Sequence, residues 1–222
     1  MPRLLEGALV TVQLSIISMV IATVLGLLIA LGRMSGPRPL RMALNGYVEI
    51  FRDIPLIVQL LVIYFSLPSI GISLPAFWAG VLGLSLNLAA YMSEMFRAAI
   101  ASIDPGQREG GISIGMSQAM VYRRIVLPQA FRVALPTLGS YFISLLKDCS
   151  LVSFIAVNEL LRQGSIIISS TFKSMEIYLL VAMIYFVMSF VSSRIVGYVE
   201  WRLTPAYLRA STKDARPQTG GA

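Results

Sequence analysis

The sequence has no histidine, one cysteine (Cys149), and charge on only 13% of its 222 residues. Each scarcity removes a class of function. Without histidine there is no imidazole base, no Ser–His–Asp triad and no His-ligated metal. A lone cysteine makes no intrachain disulfide and no Cys-rich zinc site. No Gly-x4-Gly-Lys-Ser/Thr phosphate loop occurs either, so this chain shows no nucleotide site of its own. No catalytic, metal or cofactor site is therefore expected within it. A soluble domain carries roughly 25% charged residues. With 56% hydrophobic residues, this chain could not cover a water-facing surface, and its expected solvent is a lipid bilayer.

What is present is a series of long apolar runs. Residues 7–32 contain no ionisable group, enough to cross a bilayer at about 1.5 Å per residue. This run is too long for a signal-peptide core and is read as an uncleaved first span, about 8–32. A second charge-free run, 54–93, is twice the length one span needs. Pro68, Gly71 and Pro75 place a turn in its middle. It divides into spans of about 47–68 and 76–100, with Glu49, Arg52 and Asp53 at the membrane edge. A fourth span is predicted over 133–157, interrupted by Lys147 and Asp148, and a fifth over 177–199. The expected fold is an all-α integral membrane protein of five transmembrane helices. One transmembrane domain covers 1–209, and a polar tail, 210–222, is predicted to be disordered.

Lysine and arginine placement sets the expected orientation. Twelve lie in the first loop, the third loop and the tail, against three (Arg3, Arg162, Lys173) on the opposite side. The N-terminus is thus expected outside and the C-terminus inside. The net charge of +7 reads as a topology signal. Arginines spread over three loops make no nucleic-acid patch.

The loop 101–132 is the only sizeable segment expected outside the bilayer. Asp104 with Pro105 forms an N-cap signature, and Gly115 suits a left-handed helix end. Ser117 can cap a second short helix, which Pro128 is expected to stop or kink. Ile112, Ile114, Met116, Met120, Val121 and Ile125 are more apolar than a solvated loop requires, which suggests a docking surface.

Charges within the spans are costly and tend to face the bundle interior. Glu94 and Arg97 are three apart and are expected to form a structural ion pair, with Arg52 and Asp53 joining the same network. Lys147 and Asp148 fall past the midplane of span four. They could offer one cation and one anion to a shared cavity, matching a free amino acid. Asn87 and Tyr91 could add neutral hydrogen bonds, Ser150 lies beside the charged step, and Glu159 near the outer mouth could attract a cationic end. These residues alone leave three readings open: a solute path, an ion-driven secondary transporter with Glu94 or Asp148 as coupling carboxylate, and a membrane scaffold.

Four segments narrow the choice. Glu109-Gly110-Gly111, then three residues, Gly115, nine residues, and Ile125-Val126-Leu127-Pro128 resemble the Glu-Ala-Ala loop of bacterial ABC importer permeases at every anchor. The departure is Gly110 and Gly111 in place of two alanines, each costing about 1 kcal/mol of helix propensity. Segments 49–59, 87–97 and 147–153 resemble signatures of permeases for polar amino acids, with Cys149 where threonine is usual. The resemblance spans about residues 5–203. It implies a permease subunit of the inner membrane, paired with a second permease, identical or paralogous. It also implies two ATP-binding subunits, which would hold ATP and Mg, and an extracytoplasmic amino-acid-binding protein. On this resemblance Glu109, Gly110, Gly111, Ile112, Gly115 and Met116 meet the ATPase subunit.

Overall fold

The computed structural model describes residues 1–203, and every element in that range is helical. The predicted tail, 210–222, lies outside the described residues. Helix α1 (Pro2–Ser35) runs past both predicted ends of span one. Its buried residues Gly7, Thr11, Ser15, Ser18, Ala22, Gly26 and Ala30 recur every three or four positions. A ridge of small side chains lets backbones approach closely, which is how helices associate where lipid gives no hydrophobic drive. From Ser18 onward the ridge packs against α4 (Ala76–Ala101), the most buried span, and a Cβ on Gly26 would sit 2.6 Å from the Met92 Cβ; its first turns, at Gly7 and Thr11, lie against residues 159–163.

Span two differs from its prediction. Helix α2 begins at Arg38, not Tyr47, and ends at Asp53. After a break, α3 (Leu56–Leu61) continues through a π turn (Val62–Ser66) into a 3-10 turn (Leu67–Ile70). The two halves are bent by 107°. Pro55 causes the break: its ring excludes residue 54 from the helical region, and Ile54 is extended at φ −84, ψ 131. An apolar run hides such a break, because hydropathy registers composition and not backbone direction.

Short helices α5 (Pro105–Ser113) and α6 (Gln118–Val121) follow α4. A π turn (Tyr122–Val126) joins α6 to α7 (Leu127–Asp148), and a 3-10 segment (Cys149–Ile155) extends it. Of the two outcomes expected at Pro128, a stop or a kink, the stop does not occur: a π turn precedes the proline and the helix runs on. The Leu127 N–H reaches back five residues to the Tyr122 carbonyl, so the proline falls just past a widened turn and the helix continues. The fourth apolar helix therefore runs from Gln118 to Ile155. A further helix not expected from the sequence, α8 (Leu160–Thr171), precedes α9 (Ser174–Leu203). Four helices are long and apolar enough to cross a membrane, or five when the bent pair is one span. Only Val181 of α9 is buried; one face of the helix is half-buried against α7 and α8, and the rest of its apolar surface is exposed.

Candidate functional site

The bend in span two leaves backbone carbonyls without helical donors. Unsatisfied groups at membrane depth are expensive, so they must find partners. Pro55 has no N–H for the Phe51 carbonyl four residues back. That oxygen instead accepts from Gln59 Nε2 and Asn87 Nδ2, both at 2.9 Å. The Ile54 carbonyl accepts from Gln59 Nε2 at 2.7 Å, and the Arg52 carbonyl from the Tyr91 hydroxyl at 3.3 Å. Asn87 and Tyr91 lie one turn apart on α4, so that helix holds the bend in place. Gln59 itself is buried.

Beside the bend is a cavity of about 390 Å³. Its wall includes Arg52, Asp53, Asn87, Tyr91, Tyr141, Ser144 and Asp148. Three segments meet here: the end of α2, the middle of α4 and the last turns of α7. The Arg52 guanidinium lies 5.6 Å from the Tyr91 ring centroid, in cation–π range. Among the described residues, the ion pairs all involve Glu94, and none involves Arg52, Asp53 or Asp148.

The structure sorts the predicted site residues. Asp148, Asn87 and Tyr91 meet at the cavity; Lys147 and Ser150 are not in its wall. Glu94 pairs with Arg97 at 2.8 Å and also with Arg33 at 2.7 Å. Arg33 reaches Asn45 Oδ1 at 2.6 Å, so the cluster ties α1, α2 and α4 together. Arg52 and Asp53 do not join it; the bend carries them to the cavity instead. Glu159 is fully buried and is not at an open mouth. Its carboxylate caps α8, accepting from Leu161 N at 2.9 Å and Arg162 N at 2.7 Å, and from the Tyr185 hydroxyl of α9 at 2.7 Å. Burial pushes its carboxyl above the usual carboxylate range, opposed by those three hydrogen bonds.

The loop is ordered by local chemistry. Asp104 Oδ1 accepts from Gly106 N at 2.6 Å, and Pro105 opens α5. At its end, Gly115 N donates to the Ile112 carbonyl and Met116 N to the Gly111 carbonyl, with Gly115 at φ +84. This is a Schellman cap, which glycine makes without steric cost. Ser117 Oγ accepts from Met120 N at 3.3 Å and caps α6. Gly110 has open space around it, whereas a Cβ on Gly111 would meet Val121 Cγ2 at 2.8 Å. Gly111 is buried and lets α5 lie on the following turns; Glu109, Gly110, Ile112 and Gly115 are exposed and Met116 is half-buried. Ile114 and Met120 add exposed apolar surface beside Arg108, Arg123 and Arg124.

Residues 22–205 match the family described as binding-protein-dependent transport system inner membrane component. The chain belongs to this family. A permease relative, the L-cystine transport system permease protein TcyB of Bacillus subtilis (strain 168), is 41% identical over 203 residues, covering 91% of this chain and 87% of that protein. The arginine transport system permease protein ArtQ of the same organism is 34% identical over 203 residues, covering 91% and 93%. A solved amino acid ABC transporter, described as "with histidines", matches with a TM-score of 0.85 at 41% identity, over 90% of this chain and 94% of that one. A methionine ABC transporter, MetNI, shares the fold at 19% identity with a TM-score of 0.79. The inner-membrane permease assignment accounts for the long apolar helices.

Proposed function

We propose that this chain is the translocating subunit of an ATP-driven importer of polar amino acids, delivered by an extracytoplasmic binding protein. The observation that carries this reading is the cavity at the bend, whose Arg52 and Asp148 have opposite charges and no ion-pair partner among the described residues. An unpaired charge in a span costs at least about 2.5–3.5 kcal/mol on insertion scales. An amino acid offsets both costs together, its carboxylate at Arg52 and its ammonium at Asp148. Asn87 and Tyr91 hold the bend that brings Arg52 into position. Lys147 stands next to this pair, outside the wall, and Ser150 beside it.

In the assembled transporter, the end carrying α5 faces the cytoplasm, consistent with the arginine-rich loops. The N-terminus is outside and the C-terminus inside. The exposed side of α5, with Glu109, Gly110, Ile112 and the Gly115–Met116 cap, docks on an ATP-binding subunit. Two such subunits hold ATP and Mg, and a second permease, identical or paralogous, completes the pore. Nucleotide-driven motion reaches the spans through α5 and α6.

The test is ATP-dependent uptake by the reconstituted complex, together with binding of labelled L-arginine, L-glutamine and L-cystine. Asp148→Asn is expected to weaken binding about tenfold to hundredfold, since a hydrogen bond to a charged group contributes about 1.5–3 kcal/mol. Unchanged affinity and uptake in that variant would remove Asp148 from the solute path.

A further inference from the structure

We infer that the cavity selects amino acids with a cationic side chain, and that Asp53 is the residue that selects them. The inference rests on the reading that this cavity holds the solute. Its ionisable wall residues other than tyrosines are one guanidinium, Arg52, and two carboxylates, Asp53 and Asp148. None of the three is in an ion pair among the described residues. A zwitterionic ligand satisfies Arg52 with its carboxylate and one acid with its ammonium. One carboxylate of the wall is then left without a counter-charge from the ligand. A ligand with a second cationic group pairs with it.

The geometry assigns that second group to Asp53. It immediately precedes the Ile54–Pro55 break, so the bend, and not a helix face, fixes where it stands. It comes from α2, whereas Asp148 comes from α7, so the two acids enter the wall from different segments. Lys147 acts electrostatically on Asp148, its neighbour in sequence, but it is not in the wall, so a ligand in the cavity meets two carboxylates and one guanidinium. Tyr91 and Tyr141 add ring surface to the same wall, suited to the aliphatic stem of a lysine or arginine side chain.

The purified permease–ATPase complex, in lipid nanodiscs without binding protein, is titrated with L-arginine, L-lysine, L-glutamine and L-glutamate. Arginine and lysine are expected to bind about tenfold to hundredfold more tightly than glutamine, the effect of one added charged hydrogen bond. Glutamate should bind most weakly. Asp53→Asn should abolish the preference while retaining glutamine binding, which also reports that the variant is folded. Asp53→Glu should restore it. Equal affinity for arginine and glutamine in the wild type, or an undiminished preference in Asp53→Asn, would overturn the inference and leave the cavity reading intact. No binding of any of the four by the wild-type complex would refute the cavity reading itself.

Discussion

Removing the Glu159 carboxylate should destabilise the packing of α8 against α1 and α9. In Glu159→Ala two losses combine. The first is an N-cap whose two backbone contacts are 2.9 and 2.7 Å, and such a cap contributes about 1 kcal/mol. The second is the bond from Tyr185 at 2.7 Å, contributing about 1.5–3 kcal/mol when one partner is ionised. Together the cost is about 2–4 kcal/mol, because a fully buried site offers no water to the abandoned donors. For a domain of this size about 1 kcal/mol corresponds to about 2–4 °C, so the midpoint should fall by roughly 5–15 °C. Thermal loss of the monodisperse peak of the detergent-solubilised complex measures it. Glu159→Gln keeps one acceptor and should lose less than half as much. The pH dependence is a second readout. Burial raises the folded-state value of this carboxyl above its unfolded value. The part of the stability linked to its titration is full below the ordinary glutamate range and is lost as the pH rises through the raised value, while the capping bonds persist. Wild type should therefore lose more stability than Glu159→Gln across that window. A midpoint for Glu159→Ala within about 2 °C of wild type would refute the capping role, given the magnitude expected of a lost cap alone.

Four further outcomes follow from the loop and the bend. Glu109→Lys should leave the protein inserted but separate ATP hydrolysis from uptake, so normal coupled uptake would count against α5 as the docking helix. Gly110→Ala should raise stability by up to about 1 kcal/mol, because its Cβ meets nothing, whereas Gly111→Leu should loosen α5 and reduce the uptake-to-ATPase ratio. Gln59→Leu leaves the Ile54 carbonyl without its side-chain donor and should cost about 1–3 kcal/mol by thermal denaturation, with solute affinity falling in parallel.

Much of this architecture was legible in the chain. Long uncharged runs define spans because lipid requires them, and the capping residues Asp104, Gly115 and Ser117 act through bonds to near neighbours in sequence. The Glu94–Arg97 pair was readable for the same reason, being one helical turn apart. What escaped depends on distant partners. The break at Pro55 sits inside a run that looks continuous, and the groups that sustain it, Asn87 and Tyr91, lie on another helix. Their polar atoms looked available to a solute; they are largely committed to the backbone of α2. Glu159 looked like a mouth residue until Tyr185, 26 positions away, closed over it. Helix α8 was missed because residues 160–171 are too short and too polar to register as a span. Gly111 read as a weak helix former, and its use appears only once Val121 lies against it.

The unbroken course of the fourth apolar helix bears on how force would travel. From Gln118 to Ile155 there is no loop, so the segment beside α5 and the carboxylate of Asp148 belong to one continuous helix. At about 1.5 Å per residue, the 30 positions from Gln118 to Asp148 span roughly 45 Å. A tilt of about 5° at one end displaces the other by roughly 4 Å, comparable to the pitch of a helical turn. The wide turn at Tyr122–Val126 and the proline at 136 are its two soft points. Stiffening either one should change how much of a small tilt arrives at the cavity, without altering a single group that touches the solute.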